Sequence, residues 1–219
     1  LGALISGPPL ALGFAFFAPI ALLHRPGAEA LLVVVGGAAL SLGFGSMFWG
    51  WVVGQRRVEV ERLDLPLRGL PDALSGLRIA QISDLHIGMQ LRAPLLRRLL
   101  ARVNALEPDL IVITGDIFDF DPGYIEEGCR ELAELNAPLG VFAVLGNHDD
   151  DRDVPNALHR HGIEVLRDAR TQRRIRNERL DLVGIRYWTK KATEIAVAAR
   201  GAAGPVILLA HDPRRLVEA

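Results

Sequence analysis

The first 54 residues of this 219-residue chain contain only two formally charged side chains, Arg25 and Glu29. The other 49 charged residues all lie in residues 55–219, at about the density expected of a globular domain. The chain therefore combines an apolar N-terminal segment with a water-soluble domain, which excludes a disordered protein. Its single cysteine excludes a disulfide scaffold, and its net charge of −1 provides no basic surface for nucleic acid.

The apolar segment predicts a transmembrane helical hairpin over residues 1–54. Two charge-free runs, residues 1–23 and 30–54, are each long enough to cross a hydrocarbon core about 30 Å thick. Trp49 and Trp51 lie near the end of the second run, where interfacial aromatic side chains are expected. The alternative is a signal peptide followed by a buried helix, but the first run is long for a signal peptide and lacks a basic start.

The distribution of arginine favours one orientation of this hairpin. Arg56, Arg57 and Arg62 follow the second run, whereas the turn between the runs contains Arg25 alone. Because positively charged flanks stay in the cytoplasm, we expect a multi-pass protein of the cell membrane with its following domain on the cytoplasmic side. The chain begins at Leu1 and not at methionine, so we expect further residues before it, and further spans there would change this orientation.

The sequence after the hairpin predicts a connector, residues 55–76, and an α/β domain, residues 77–219. Apolar runs without polar alternation predict strands that are buried on both faces. The predicted strands are 77–82, 110–114, 141–145, 163–166, 180–185 and 205–210. The predicted helices are 94–106, 124–135, 154–161 and 190–200, and the arginine-rich run 170–179 predicts a solvated hairpin.

Four of the predicted strands are followed by side chains that can bind a metal. In chain order these are Asp84 and His86, then Asp116, then Asn147 and His148, and finally His211. Ligands of α/β sheets collect at the carboxyl ends of the strands, so we expect these groups to converge. Each residue alone is more often a turn or core residue. As a set, carboxylate, amide and imidazole groups suit Mn, Fe or Zn better than Ca or Mg.

This order of motifs resembles that of the calcineurin-like metallophosphoesterase superfamily. The matching residues are Asp84-Leu85-His86, Gly115-Asp116, Gly146-Asn147-His148-Asp149 and His211. The resemblance covers residues 77–212. Within it, the local sequences Ile-Ser-Asp-Leu-His, Thr-Gly-Asp and Ala-His-Asp-Pro are similar to those of the bacterial, membrane-anchored branch of the family. It implies a sandwich of two mixed β-sheets flanked by helices.

The resemblance also implies a centre with two divalent metal ions (Mn, Fe or Zn). By this resemblance, Asp84 and His86 bind the first ion. Asp116 bridges the two ions, and Asn147 and His211 bind the second. Two cations about 3.5–4 Å apart would clamp an in-line displacement at phosphorus.

Two catalytic residues, His148 and Asp149, follow from the same resemblance. His148 is expected to give a proton or a hydrogen bond to the leaving oxygen without binding metal. Asp149 is expected to hold His148 or to cap the next helix. Asp119, which follows the Gly-Asp turn, is interpreted as a turn residue or as a neighbour of the metal ligands.

The family motif continues with Gly-His-x-His, which this chain does not contain before it ends at Ala219. Because His211 and the strand before it are intact, we expect a C-terminally incomplete chain that lacks two histidine ligands. As it stands, such a chain would bind metal poorly and be nearly inactive.

These expectations together describe a membrane-anchored phosphoesterase that hydrolyses phosphomonoesters or phosphodiesters with a metal-bridged hydroxide. The membrane anchor favours a lipid-linked phosphate as substrate, and no nucleic-acid partner is expected. The alternative is a non-catalytic metal-binding membrane scaffold of the same fold. A transporter subunit is disfavoured because the apolar runs lack polar, functional-looking residues.

Overall fold

The computed structural model describes residues 28–52, 58–189, 200–202 and 204–214. The chain divides between Leu63 and Asp64 into two compact units. The domain boundaries expected at residues 54 and 76 stay predictions.

The first unit contains one described helix, α1 (Ala28–Val52). Its part Val34–Val52 is long and apolar enough to cross a membrane, and none of it is buried in the structure. Large side chains such as Phe44 and Trp49 are about two-thirds exposed. This helix coincides with the second predicted run. The first run lies outside the described residues, so the hairpin stays a prediction.

The second unit contains a parallel sheet with the strand order β1-β2-β3-β4. Its strands are β1 (Ile79–Ile82), β2 (Leu110–Thr114), β3 (Val141–Val144) and β4 (Glu164–Val165). Every residue of β2 and β3 is buried, as their apolar sequences predict. The expectation of burial on both faces is wrong for β1, which alternates between exposed and half-buried residues because it forms an edge of the described sheet.

Helices α2 (Ala93–Asn104), α3 (Ile125–Leu132) and α4 (Asp153–Arg160) connect these parallel strands. Pro94 occupies the first turn of α2, where its missing N–H group costs nothing. The apolar faces of the helices pack against alternate residues of the sheet, including Ile111 and Ile113. The helices therefore cover one face of the parallel sheet.

The other face of this sheet packs against a second, three-stranded sheet with the order β5-β6-β7. Its strands are β5 (Ala169–Ile175), β6 (Glu178–Gly184) and β7 (Val206–Leu209). Residues of both sheets share one cluster, namely Leu110, Val112, Phe142, Val144, Leu166, Leu182 and Leu209. The predicted α/β architecture with two sheets is confirmed, as is the arginine-rich hairpin, which β5 and β6 form.

The first sheet differs from the expected pair of mixed sheets. Its described strands are all parallel, and only the second sheet is mixed, with β5 antiparallel and β7 parallel to β6. The reason is the connections: helical crossovers join the strands of the first sheet, whereas a tight hairpin joins β5 to β6. The predicted helix 190–200 falls almost wholly outside the described residues.

Cys129 provides a test of the packing between the helices and the parallel sheet. Its side chain is fully buried in the helix-side core, and burial raises the pKa of the thiol to about 12. We expect no reaction with Ellman's reagent in the native protein at pH 8 and stoichiometric reaction after denaturation, since the thiolate is the reactive form. Rapid labelling of Cys129 in the native protein would contradict the packing of α3.

Candidate metal centre

The carboxyl ends of four strands bring together most of the residues that the sequence singled out. Asp84 and His86 follow β1, Asp116 follows β2, and His211 follows β7. Asn147, after β3, is half-buried and lines a cavity beside His148. No single segment of the chain could form this group, because its members come from both sheets.

Asp116 belongs to two groups of potential metal ligands. One group is His86, Asp116 and His148, and the other is Asp84, Asp116 and His211; within each, the ligand atoms lie within 4.8 Å of one another. Asp116 Oδ2 is 3.7 Å from His86 Nε2 and 3.5 Å from His211 Nε2. Asp116 is therefore the residue that the two groups of potential ligands share.

The carboxylate of Asp116 is fixed by burial and by one strong contact. The residue is 5% exposed, and its Oδ1 accepts a hydrogen bond of 2.9 Å from the backbone N–H of His148. Since Oδ1 is engaged in this way, Oδ2 is the oxygen directed toward the imidazoles. The loop after β3 thus orients the central side chain of the loop after β2.

The two imidazoles nearest this oxygen are oriented through their other ring nitrogens. His211 Nδ1 is 2.9 Å from the carbonyl oxygen of Thr114, so this nitrogen carries the proton and donates it to the carbonyl. His86 Nδ1 lies 3.3 Å from Asp119 Oδ1. Metal-binding histidines characteristically have such a partner on the second nitrogen, which leaves Nε2 free to bind. The donor set therefore fits a divalent transition metal.

The backbone of the site is strained at three of the predicted ligands. Asp84, His86 and Asp116 have positive φ angles of 54°, 45° and 48°. The left-handed region costs a non-glycine residue about 1–2 kcal/mol, and such residues cluster at functional sites. Two backbone hydrogen bonds of 3.0 Å hold the strained loops together, from Asp84 N to the Gly115 carbonyl and from His86 N to the Asp116 carbonyl.

Gly115 and Gly146 allow the strand ends to approach this closely. A Cβ atom on Gly146 would collide with the carboxylate and the backbone nitrogen of Asp116. A Cβ atom on Gly115, whose φ is +95°, would lie 2.6 Å from His211 Nδ1. The glycines of the Gly-Asp and Gly-Asn-His-Asp motifs are thus steric requirements of the site.

Asp149 connects the loops after β2 and β3. Its Oδ1 accepts hydrogen bonds from Ile117 N (2.9 Å) and Phe118 N (3.0 Å), and its Oδ2 accepts one from Gly146 N (2.9 Å). Burial raises the pKa of this carboxyl, and the three N–H donors oppose that rise. Both oxygens of Asp149 are therefore engaged by backbone groups of the site, while its catalytic role stays a prediction.

The helix-capping contacts at the start of α4 come from Asp150. Its Oδ1 accepts hydrogen bonds from Arg152 N (2.9 Å) and Asp153 N (2.7 Å). These contacts lower the pKa of the Asp150 carboxyl. The sequence left helix capping open as a role for Asp149, and the structure gives these contacts to the next residue.

His148 belongs to one of the two groups of potential metal ligands, with His86 and Asp116. Its Nε2 is 3.9 Å from Asp116 Oδ2, and its ring meets that of His86 edge-on with centroids 4.8 Å apart. Its Nδ1 is buried and has no hydrogen-bond partner among the described residues. Its other neighbour is Phe120, whose ring lies 4.3 Å away at an angle of 37°. This position is compatible with a ligand or a proton donor, and the expected role stays a prediction.

Three further side chains contact the histidines of the site, and the sequence had offered this position only for Asp119. Asp119 contacts His86, Phe120 lies on His148, and the Tyr187 ring is 5.7 Å from that of His211. The position of Asp119 three residues after Asp116, in a turn, was the one available signal for its role. The two aromatic contacts depend on tertiary structure alone.

The fold and the donor set together define a two-sheet α/β domain that can hold metal at the carboxyl ends of its strands. The model of the calcineurin-like phosphoesterase family matches residues 77–215, which is more than half of the chain. The chain therefore belongs to the calcineurin-like phosphoesterases.

Two curated relatives show the range of similar proteins. A zebrafish (Danio rerio) transmembrane protein with metallophosphoesterase domain is 31% identical over 189 residues, covering 78% of this chain and 43% of the relative. The UDP-2,3-diacylglucosamine pyrophosphatase LpxG of Chlamydia muridarum is 37% identical over 114 residues, covering 51% and 35%. The chain thus spans less than half the length of these relatives.

Among solved structures, a nuclease MPE of Pseudomonas putida matches with 18% sequence identity and a TM-score of 0.30. The match covers 60% of each chain.

The backbone strain at Asp84 predicts a difference between two substitutions that both remove the carboxylate. Without metal, Asp84→Gly should be more stable than Asp84→Ala by about 1 kcal/mol, because alanine is strained at φ 54° and glycine is not. Thermal unfolding of the metal-free variants measures the difference. Equal melting temperatures would show that the loop after β1 does not hold this conformation.

Proposed function

We propose that this chain is the metal-binding part of a membrane-anchored phosphoesterase with two divalent cations, acting on phosphomonoesters or phosphodiesters. The observation that supports this most directly is Asp116, whose Oδ2 lies within 3.7 Å of the imidazoles of both His86 and His211. A carboxylate offers two charged oxygens and can be shared by two cations. Mn, Fe or Zn suits the mixed oxygen and nitrogen donors.

Asp84 and His86 would hold one cation, Asn147 and His211 the other, and Asp116 would be shared. This division differs from the proximity groups in the structure, where Asp84 lies with His211 and His86 with His148. When bound, the cations would neutralise phosphate charge and supply a hydroxide nucleophile near neutral pH. The neutral amide of Asn147 would keep the negative charge of the donor set low, so that an anionic phosphate is still attracted.

His148 would act on the leaving oxygen. Its Nε2 lies 3.9 Å from Asp116 Oδ2, so a phosphate held beside Asp116 would be within its reach. A proton given to the departing alkoxide would remove the developing negative charge, an effect typically worth 10²–10⁴-fold in rate. Asp149 would act as a positioning residue, because it holds the backbone of both loops that carry Asp116 and His148.

A lipid-linked phosphoester is the substrate that the N-terminal helix favours. The segment Val34–Val52 is long and apolar enough to span a bilayer. One relative is named as a transmembrane protein with metallophosphoesterase domain and another as a pyrophosphatase of a diacylated nucleotide sugar. A domain anchored in this way would meet phosphoesters at the membrane surface.

Asp116→Asn tests the shared carboxylate. We expect the full-length variant, assayed with p-nitrophenyl phosphate and Mn²⁺, to lose at least about 100-fold in kcat/KM and most of its bound metal, because an amide is a weaker bridging group. Metal content is measured by mass spectrometry after gel filtration. The matched control is Asp151→Asn, which removes an exposed carboxylate paired with Arg167 and should retain metal and activity. Full activity of Asp116→Asn would refute the shared role.

His148→Ala separates a proton donor from a ligand. As a proton donor, His148 is expected to contribute about 10²–10⁴-fold to kcat while the variant keeps its metal. The loss should be larger for phenyl phosphate than for p-nitrophenyl phosphate, since the poorer leaving group needs the proton more. His159→Ala, at an exposed histidine of α4, is the control. Loss of metal from His148→Ala would instead make His148 a ligand.

A further inference from the structure

A cavity of about 260 Å³ opens beside His148. Phe120, Pro122, Ile125 and Val154 supply its apolar lining. Its size exceeds the roughly 150 Å³ cavity that accepts benzene in a protein core. We propose that this cavity, here named the leaving-group pocket, binds the departing alcohol of the phosphoester as an uncharged aromatic or aliphatic group, with Phe120 as its platform. This inference rests on the proposed function.

The position of the pocket follows from that of His148. This residue lies within 3.9 Å of Asp116 Oδ2 and also lines the pocket. A phosphate at the ligand group would therefore direct its leaving oxygen toward His148 and the remainder of the leaving group into the pocket. His148, the proposed proton donor, would therefore lie directly beside the departing alcohol.

Phe120 is presented to this pocket and not to the core. Its side chain is 75% exposed, and it contacts the imidazole of His148 at 4.3 Å between ring centroids. The neighbouring backbone is fixed, because Asp119 N donates to the Ile87 carbonyl (3.1 Å) and Asp121 Oδ1 accepts from Gly123 N (2.9 Å). An aromatic ring held in this way can bind a flat or apolar group with little loss of conformational entropy.

The charges of the pocket favour an uncharged leaving group over a phosphate. Asp119, Asp149 and Asp150 line it, and no lysine or arginine is present among the described residues of the lining. A leaving group that carries its own phosphate, as in pyrophosphate cleavage, would be brought close to these carboxylates and repelled. A neutral alcohol would meet the same walls without this penalty. The pocket therefore favours esters of alcohols over diphosphates.

The first test compares two leaving groups in the full-length, Mn²⁺-loaded protein. Phe120→Ala should lower kcat/KM for p-nitrophenyl phosphate about tenfold, as expected for loss of one aromatic contact. It should change kcat/KM for glycerol 2-phosphate less than twofold, and Phe120→Tyr should restore the wild-type ratio. The matched control is Trp188→Ala, which removes a 63% exposed aromatic residue next to Tyr187 and should leave the ratio unchanged.

The second test addresses charge. The wild-type protein should prefer p-nitrophenyl phosphate to UDP-glucose, whose hydrolysis at the diphosphate gives UMP and glucose 1-phosphate, so that its leaving group is itself a charged phosphate monoester. Asp150→Asn should raise kcat/KM for UDP-glucose severalfold, because an amide oxygen still accepts from Arg152 N and Asp153 N while the negative charge is removed. A preference of the wild-type protein for UDP-glucose, or no response to Asp150→Asn, would overturn the charge-based part of the inference.

A binding measurement separates the pocket from catalysis. Saturation-transfer NMR on the metal-free protein should show contact with the ring protons of p-nitrophenol, reduced in Phe120→Ala and retained in Trp188→Ala. If neither phosphate ester is hydrolysed, the proposed function fails, and this measurement still tests the pocket. If both esters are hydrolysed but Phe120→Ala lowers both equally or neither, or if p-nitrophenol binds equally to that variant, the pocket inference is overturned.

Discussion

The position of one carboxylate, that of Asp116, determines the geometry of the whole site. Its Oδ1 is held by the backbone N–H of His148, and its Oδ2 faces the imidazoles of His86 and His211. The carboxylate thus links the ends of β1, β2, β3 and β7, which belong to two sheets. Because the residue is almost fully buried, water cannot compete for these contacts.

This arrangement is obtained at a cost in backbone strain. Asp84, His86 and Asp116 all adopt the left-handed conformation, and Gly115 and Gly146 leave no room for a side chain. Hydrogen bonds between the loops, together with the buried cores on both faces of the parallel sheet, keep this conformation in place. The result is a set of donors arranged before any ligand arrives, which reduces the reorganisation needed for binding and reaction.

The surroundings of the donors differ on the two sides of Asp116. On the His148 side lies a cavity with an exposed phenylalanine and several carboxylates. On the His211 side, Tyr187 and Trp188 form an aromatic pair. Family membership alone does not distinguish among phosphoester substrates, since the donors recognise the phosphate that they all share. Selectivity among such substrates is expected from residues beside the donors, and the cavity lined by Phe120 is the candidate proposed above.

The sequence by itself determined the alternation of strands and helices, the position of an apolar helix, and the residues that follow each strand. Apolar runs such as that of β2 can be recognised in the sequence because burial on both faces excludes polar residues. The residues after each strand can be recognised as candidate ligands because an α/β sheet binds its ligands at the carboxyl ends of its strands. Only the tertiary structure decided that Asp149 would bind backbone N–H groups, that Asp119 would be a neighbour of His86 and not merely a turn residue, and that Phe120 would lie on His148. Those contacts join loops that follow different strands and are distant in sequence. The local sequence pattern does not indicate which of these loops will meet.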